Sequence, residues 1–228
     1  MTFERIKQEY FLVILVLLSL FIIANYFVIF VSVEPFEGFT VSGHPIFYMI
    51  PFAFATYFCF ALVLLSGILY LKKKKERYDL LLVSSAQIGI LTGAITLMIG
   101  ILWSYAEWGY FWQWEARQTA TLIMWISYVA LLILRGMFED KDFEKRAVIS
   151  ATFGIVVSPS VPLSNFIVGA LHPEPQQTTL GEGIGLILVM NFLFVLTVAL
   201  ILVYITYRMN KLDLMLKKVR MARMEAFY

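Results

Sequence analysis

The residues able to do chemistry are few in this chain, and they are unevenly placed. Four of the five tryptophans fall in one stretch, Trp103-Ser-Tyr-Ala-Glu-Trp-Gly-Tyr-Phe-Trp-Gln-Trp-Glu-Ala-Arg-Gln-Thr119, with an acid, Glu115, and a base, Arg117, among them. If part of it is helical, Trp108, Phe111 or Trp112, and Glu115 share one face at i, i+3 or i+4, and i+7. Such a face is a flat aromatic shelf, and a cation beside it suits a large planar anionic ligand. The same composition also fits an aromatic belt that anchors a protein at the membrane interface. His44, in Ser42-Gly-His-Pro45, and His172, in Ala170-Leu-His-Pro-Glu-Pro175, are the only histidines. The single cysteine, Cys59, lies in an apolar run. One thiol cannot make an intramolecular disulfide, a CxxC redox pair or a four-cysteine zinc site.

The elements that must position these residues are membrane spans. Of 228 residues, 61% are hydrophobic and 15% charged, against roughly 45 to 50% and about 25% in soluble domains. That excludes an ordinary soluble protein. Six segments, near 10–33, 45–71, 80–105, 119–134, 147–170 and 183–207, are apolar enough to cross about 30 Å of hydrocarbon, which takes roughly 20 helical residues. Long apolar runs without period-2 alternation favour helices over barrel strands, so the expected fold is an all-α, six-helix polytopic bundle. The first segment is longer than a signal-peptide core and no A-x-A-like site follows it, so it reads as a retained span. Without internal repeats or a low-complexity linker, residues 1–228 read as one domain, with an outer tryptophan-rich loop at 103–119.

Seventeen of the eighteen basic residues lie before the first span, between the second and third, between the fourth and fifth, or after the sixth. The positive-inside rule makes that side and both termini cytoplasmic. The net charge of +2 averages two oppositely charged faces and gives no reason to expect nucleic acid. Arg117 is the one base on the outer side. No span as bounded above contains Asp, Glu, Lys, Arg or His, which disfavours ion-coupled transport through the bundle. Asn25, Gln87, Asn165 and Asn191 read as interhelical hydrogen-bond partners, and Gly89, Gly93 and Gly100 as a close-packing face. Pro159 and Pro162 should kink the fifth span. The stretch 211–228 reads as a basic helix on the inner membrane surface.

Topology brings the histidines together. Each alone is an unremarkable interfacial residue, but both fall at the outer rim, on loops flanking the tryptophan stretch. Two neutral imidazoles on opposite sides of one iron, aromatic rings along the macrocycle and Arg117 near a propionate make a haem site. Zinc would want three or four ligands and gains nothing from tryptophans.

The segment Trp108-Gly-Tyr-Phe-Trp-Gln-Trp-Glu-Ala-Arg-Gln-Thr119 resembles the tryptophan-rich signature of the haem-handling proteins of cytochrome c biogenesis. In the CcmC branch the signature reads approximately W-G-x-W-W-x-W-D-A-R-L-T. Six spans, the signature between the third and fourth, and one histidine in each flanking outer loop resemble that branch along nearly the whole chain. The resemblance implies haem b held at the outer face of a prokaryotic cytoplasmic membrane, with His44 and His172 as axial ligands. It implies that Trp108, Trp112, Trp114 and Arg117 face the haem, with Phe111 and Glu115 in the same loop. It further implies delivery to a membrane-tethered haem chaperone (CcmE-like), with an ABC transporter pair (CcmA/CcmB-like) and a small one-span subunit (CcmD-like) as partners. The chain departs from the pattern at Glu115 for Asp, Phe111 for a second consecutive Trp, and Gln118 for Leu. Glu keeps the charge but adds a methylene, so any cap or ion pair made by that carboxylate is rearranged. Longer relatives that attach haem to apocytochrome carry the same signature with many more spans.

The leading expectation is therefore a non-enzymatic haem-binding membrane protein. A haem-containing electron-transfer subunit, a haem-attachment component and a structural anchor with an aromatic belt remain alternatives. The electron-transfer class typically needs histidines within its helices, and these spans have none.

Overall fold

In a computed structural model, residues 46–138, 143–164 and 184–225 are described. They form α1 (Ile46–Lys73), α2 (Glu76–Trp108), α3 (Ala116–Gly136), α4 (Phe143–Val157), the single-turn α5 (Ser160–Pro162) and α6 (Ile184–Glu225), with no strand among the described residues. Helices α1, α2, α3 and α6 each contain a stretch long and apolar enough to cross a membrane, as in a multi-pass membrane protein. The expected first span, 10–33, lies outside the described residues, as do His44, His172, Asn25 and Asn165.

The lysine run 72–75 becomes a tight reversal. Lys74 adopts φ 50 and its N–H donates to the Tyr70 carbonyl at 2.7 Å, which turns α1 back along α2. The α1–α2 pair is central; α6 packs on both of its helices, α4 on α1 and α3, and α3 on α2. Two of the three glycines of the packing face let rings approach the α2 backbone. A Cβ at Gly89 would lie 2.5 Å from Phe60, and one at Gly93 would lie 2.8 Å from Trp125. Phe60 in turn stacks on Tyr128 at 3.5 Å, and Trp125 Nε1 donates to the Ile90 carbonyl at 2.9 Å. The third glycine does something else. At Gly100 the nearest atom to such a Cβ is Met49 Sδ at 3.6 Å, because the helices part there.

Two expectations are corrected. First, the bundle does contain a buried charge pair. Helix α2 starts at Glu76 rather than near residue 80, so it includes Asp79, which is completely buried. Arg135, near the end of α3, holds both carboxylate oxygens at 2.7 and 2.6 Å, and its Nη1 also donates to Ser150 Oγ at 3.2 Å. Taking these charges out of water is tolerable because the contact is bidentate. Second, α6 does not stop near residue 207 to give way to a separate surface helix. It runs for 42 residues, because α2 offers partners along the extra turns. Asn210 Nδ2 donates to Ser84 Oγ and Gln87 Oε1, each at 2.9 Å, and Lys218 pairs with Glu76. Gln87 thus joins helices as expected, while the buried Asn191 Nδ2 has no hydrogen-bond partner among the described residues. The proline expectation holds as well: α4 ends at Val157, a turn covers Ser158 and Pro159, and a single helical turn follows.

Candidate functional site

The loop between α2 and α3 is not a helical shelf. Gly109, at φ 78, caps α2 by donating its N–H to the Tyr105 carbonyl at 2.9 Å, a left-handed ending that glycine makes without strain. Ser104 Oγ then holds the Tyr110 carbonyl at 2.9 Å, and Trp114 takes φ 56 before Glu115 starts α3. Helical spacing from Trp108 to Glu115 is therefore broken, and the aromatic residues separate into two groups.

One group lines a cavity of about 450 Å3 that reaches down between α1 and α2 from the loop. Trp103, Trp112, Glu115 and Arg117 border it at the loop, Met49 and Phe54 come from α1, and Gly100 leaves room on α2. Tyr57, Thr96 and Thr121 supply hydroxyl groups deeper in the wall. Its volume falls in the range of roughly 300 to 1,000 Å3 typical of small-molecule sites, and apolar walls with a few polar groups are their usual lining. Arg117 is the one base at this end among the described residues. Trp112 Nε1 is buried beside the cavity without a hydrogen-bond partner among the described residues.

The other group faces outward. Trp108 packs edge-on against Trp103 with ring centres 4.8 Å apart, and Phe111 stacks on Tyr105 at 4.3 Å. Trp114 is 74% exposed and meets Trp112 edge-on at 5.9 Å. None of Trp108, Phe111 and Trp114 lines the cavity.

Of the site residues expected from sequence, then, Trp112, Glu115 and Arg117 are brought together around one cavity, Trp108, Phe111 and Trp114 form its outer surround, and His44 and His172 lie outside the described residues. Sequence reasoning missed Trp103 as a wall residue, and with it Tyr57, Thr96 and Thr121. The position of Gly109 was the visible signal that the helix ends at Trp108.

A model of the heme exporter protein C family matches residues 1–226. The chain is 25% identical over 186 residues to heme exporter protein C of Bradyrhizobium diazoefficiens, a match covering 78% of this chain and 69% of that one. It is 31% identical over 106 residues to the Haemophilus influenzae protein of that name, covering 46% and 43% respectively. A ccmC-like mitochondrial protein of cytochrome c biosynthesis from Marchantia polymorpha is 27% identical over 139 residues, covering 61% and 59%. The Haemophilus and Marchantia matches thus each span less than two thirds of the relative's own length. With the match to the family model running along virtually the whole sequence, this chain belongs to the heme exporter protein C family.

Proposed function

We propose that the chain binds haem at the tryptophan-loop end of the bundle and hands it on for cytochrome c maturation, without catalysing a reaction itself. The observation that carries this reading is the cavity of about 450 Å3, with Trp103 and Trp112 in its wall and Arg117 at its rim. Haem is the cargo. Its apolar face matches indole and aliphatic walls, and a guanidinium can take a propionate bidentately where an ammonium cannot. Tryptophan is a hydrogen-bond donor only, so the rings supply contact area and Trp112 N–H, while iron must be held by other residues. His44 and His172 are the axial ligands in this reading; they are the only imidazoles in the chain, and Cys59 sits buried in α1.

In the same proposal the chain sits in a prokaryotic cytoplasmic membrane with both termini inside and the haem site outside. Its acceptor is a membrane-tethered haem chaperone, and an ABC transporter pair with a small one-span subunit are its partners in release.

The test is the reduced-minus-oxidised absorption spectrum of the purified protein and of His44→Gly and His172→Gly, with and without imidazole. The expected result is a six-coordinate spectrum in the parent, its loss in each variant, and its recovery when free imidazole fills the vacated ligand position. An unchanged low-spin spectrum in either variant without imidazole removes that histidine from the ligand set. Absence of a Soret band in the parent overturns haem binding altogether.

A further inference from the structure

Between Gly109 and Glu115 the backbone is irregular, and side chains from both adjoining helices hold it. From α2, Ser104 Oγ donates to the Tyr110 carbonyl at 2.9 Å. From α3, Gln118 Oε1 accepts the Gln113 N–H at 3.3 Å. These contacts fall on the peptide units 110–111 and 112–113, one on each side of the peptide that joins Phe111 to Trp112. Because a peptide unit is planar, the direction of the Gln113 N–H fixes the rotation about the Cα–C bond of Trp112. The contact with Gln118 therefore controls how the chain leaves Trp112.

Gln118 is a firm anchor. It is the third residue of α3, in a first turn closed by the Thr119 N–H donating to the Glu115 carbonyl at 2.9 Å. A glutamine at that position commonly reaches back over the helix start to a backbone N–H. Here the reach is longer, past Glu115 and Trp114 to Gln113, and Gln118 also borders the cavity. The strap thus spans Trp114, whose φ of 56 is a left-handed conformation that a bulky L residue keeps only where its surroundings determine it. With that turn in place Trp112 stands in the cavity wall and Trp114 outside it, their rings edge-on at 5.9 Å. We propose that Gln118 is a positioning residue of the cavity: by holding the Gln113 N–H it locks the left-handed turn at Trp114 and keeps the Trp112 ring in the wall. Its consequence for haem rests on the reading of the cavity as the haem site; the strap itself does not.

Two measurements on the full chain test the proposal, one without haem and one with it. In the apo-protein, residue-resolved hydrogen exchange at Gln113 should quicken about two- to fivefold in Gln118→Leu, as expected for the loss of one solvent-facing hydrogen bond. Gln118→Glu, whose carboxylate accepts the same N–H, should keep the exchange slow. In the haem-loaded protein, Gln118→Leu should release haem about two- to fivefold faster. Added to Trp112→Ala it should bring no further loss, because a residue that acts through the Trp112 ring has nothing to position once the ring is gone. Unchanged exchange at Gln113 in Gln118→Leu overturns the strap. Faster haem release that adds to the effect of Trp112→Ala makes Gln118 a direct contact of the ligand and overturns the positioning role. A lowered melting temperature in Gln118→Leu with haem release unchanged confines the residue to starting α3, and overturns it equally. A parent protein without a Soret band removes haem from the cavity, and the exchange measurement then decides the strap by itself.

Discussion

The two ends of the bundle are built from the same helices and differ in how their polar groups are used. At the basic end the chain reverses in two residues, Asp79 and Arg135 are locked bidentately, and Asn210 and Lys218 tie α6 to α2. At the tryptophan-loop end the connection from Gly109 to Glu115 is irregular, Trp114 holds a positive φ, and large rings stand exposed. One end spends its polar groups on holding helices together, whereas at the other, among the described residues, Trp112 N–H has no partner and a cavity lies between the helices. The glycine face of α2 repeats the contrast along one helix: Gly89 and Gly93 are filled by rings, and Gly100 faces space. In the proposed function, stability and ligand binding are thus separated along the bundle axis, and each variant below should disturb one and spare the other.

The largest effect belongs to the charge pair. Asp79→Asn or Arg135→Met leaves a charge uncompensated in a site where Asp79 is fully buried, and breaking such a pair costs about 3 to 5 kcal/mol. Each single variant should accumulate poorly and melt early, as read by size-exclusion chromatography after a temperature ramp. Asp79→Leu with Arg135→Met should recover much of the loss, because an apolar pair leaves no buried charge behind. Haem per folded molecule should stay unchanged in all of them; a selective loss of haem would show that the two ends are coupled.

The charge pair also marks what sequence can and cannot reveal. Spans were legible because lipid demands unbroken apolar runs: the expected 45–71 and 119–134 correspond to Ile46–Lys73 and Ala116–Gly136. Asp79 fell just outside the expected third span because a carboxylate lowers local hydropathy, and its partner lies 56 residues away, which no local pattern discloses. The length of α6 was hidden for the same reason, since the turns after residue 207 are polar and stay in the bundle through contacts on α2. At the site, Trp112, Glu115 and Arg117 were legible as a group from residue type and proximity in the chain. The sorting of rings into wall and surround was not, because it depends on the left-handed Gly109 and on how α1 leans on α2.

The glycines give the next effect. Gly89→Ala or Gly93→Ala drives a methyl to within 3 Å of Phe60 or Trp125, and overpacking of this kind costs about 1 to 3 kcal/mol. Gly100→Ala meets only Met49 Sδ at an ordinary contact distance, so thermal stability should be unchanged. A larger Gly100→Leu should instead narrow the cavity and lower haem retention. Equal melting temperatures for Gly89→Ala and the parent would contradict the packing; full haem retention in Gly100→Leu would place the ligand elsewhere.

Among the tryptophans the structure ranks what the signature treats alike. Trp112→Ala removes a cavity wall and should weaken haem binding by about 1 to 3 kcal/mol, the worth of one buried aromatic side chain. Trp114→Ala and Trp108→Ala act outside the wall and should weaken it less. Haem titrations of the three apo-variants measure the order directly. If Trp114→Ala is the most damaging, the exposed rings rather than the cavity make the main contact.

The smallest effect is expected at Arg117, and it discriminates between two uses of one side chain. Arg117 and Glu115 both border the cavity, so the guanidinium has a carboxylate near it in the chain as well as, in the proposed function, a propionate to receive. Arg117→Lys keeps the positive charge and removes only the bidentate geometry, so the loss is a fraction of the 1.5 to 3 kcal/mol of a charged hydrogen bond, about 0.5 to 1 kcal/mol. If the propionate is the partner, haem dissociates roughly two- to fivefold faster from Arg117→Lys while folded protein accumulates normally. The defect should then grow in Arg117→Gln, where the charge is gone as well. If Glu115 is the partner, Arg117→Lys lowers the melting temperature with haem stoichiometry unchanged, and Glu115→Gln does the same. Raised salt sharpens the distinction, because an exposed propionate contact is screened within about 10 Å at 0.1 M whereas a partly buried internal pair is screened much less.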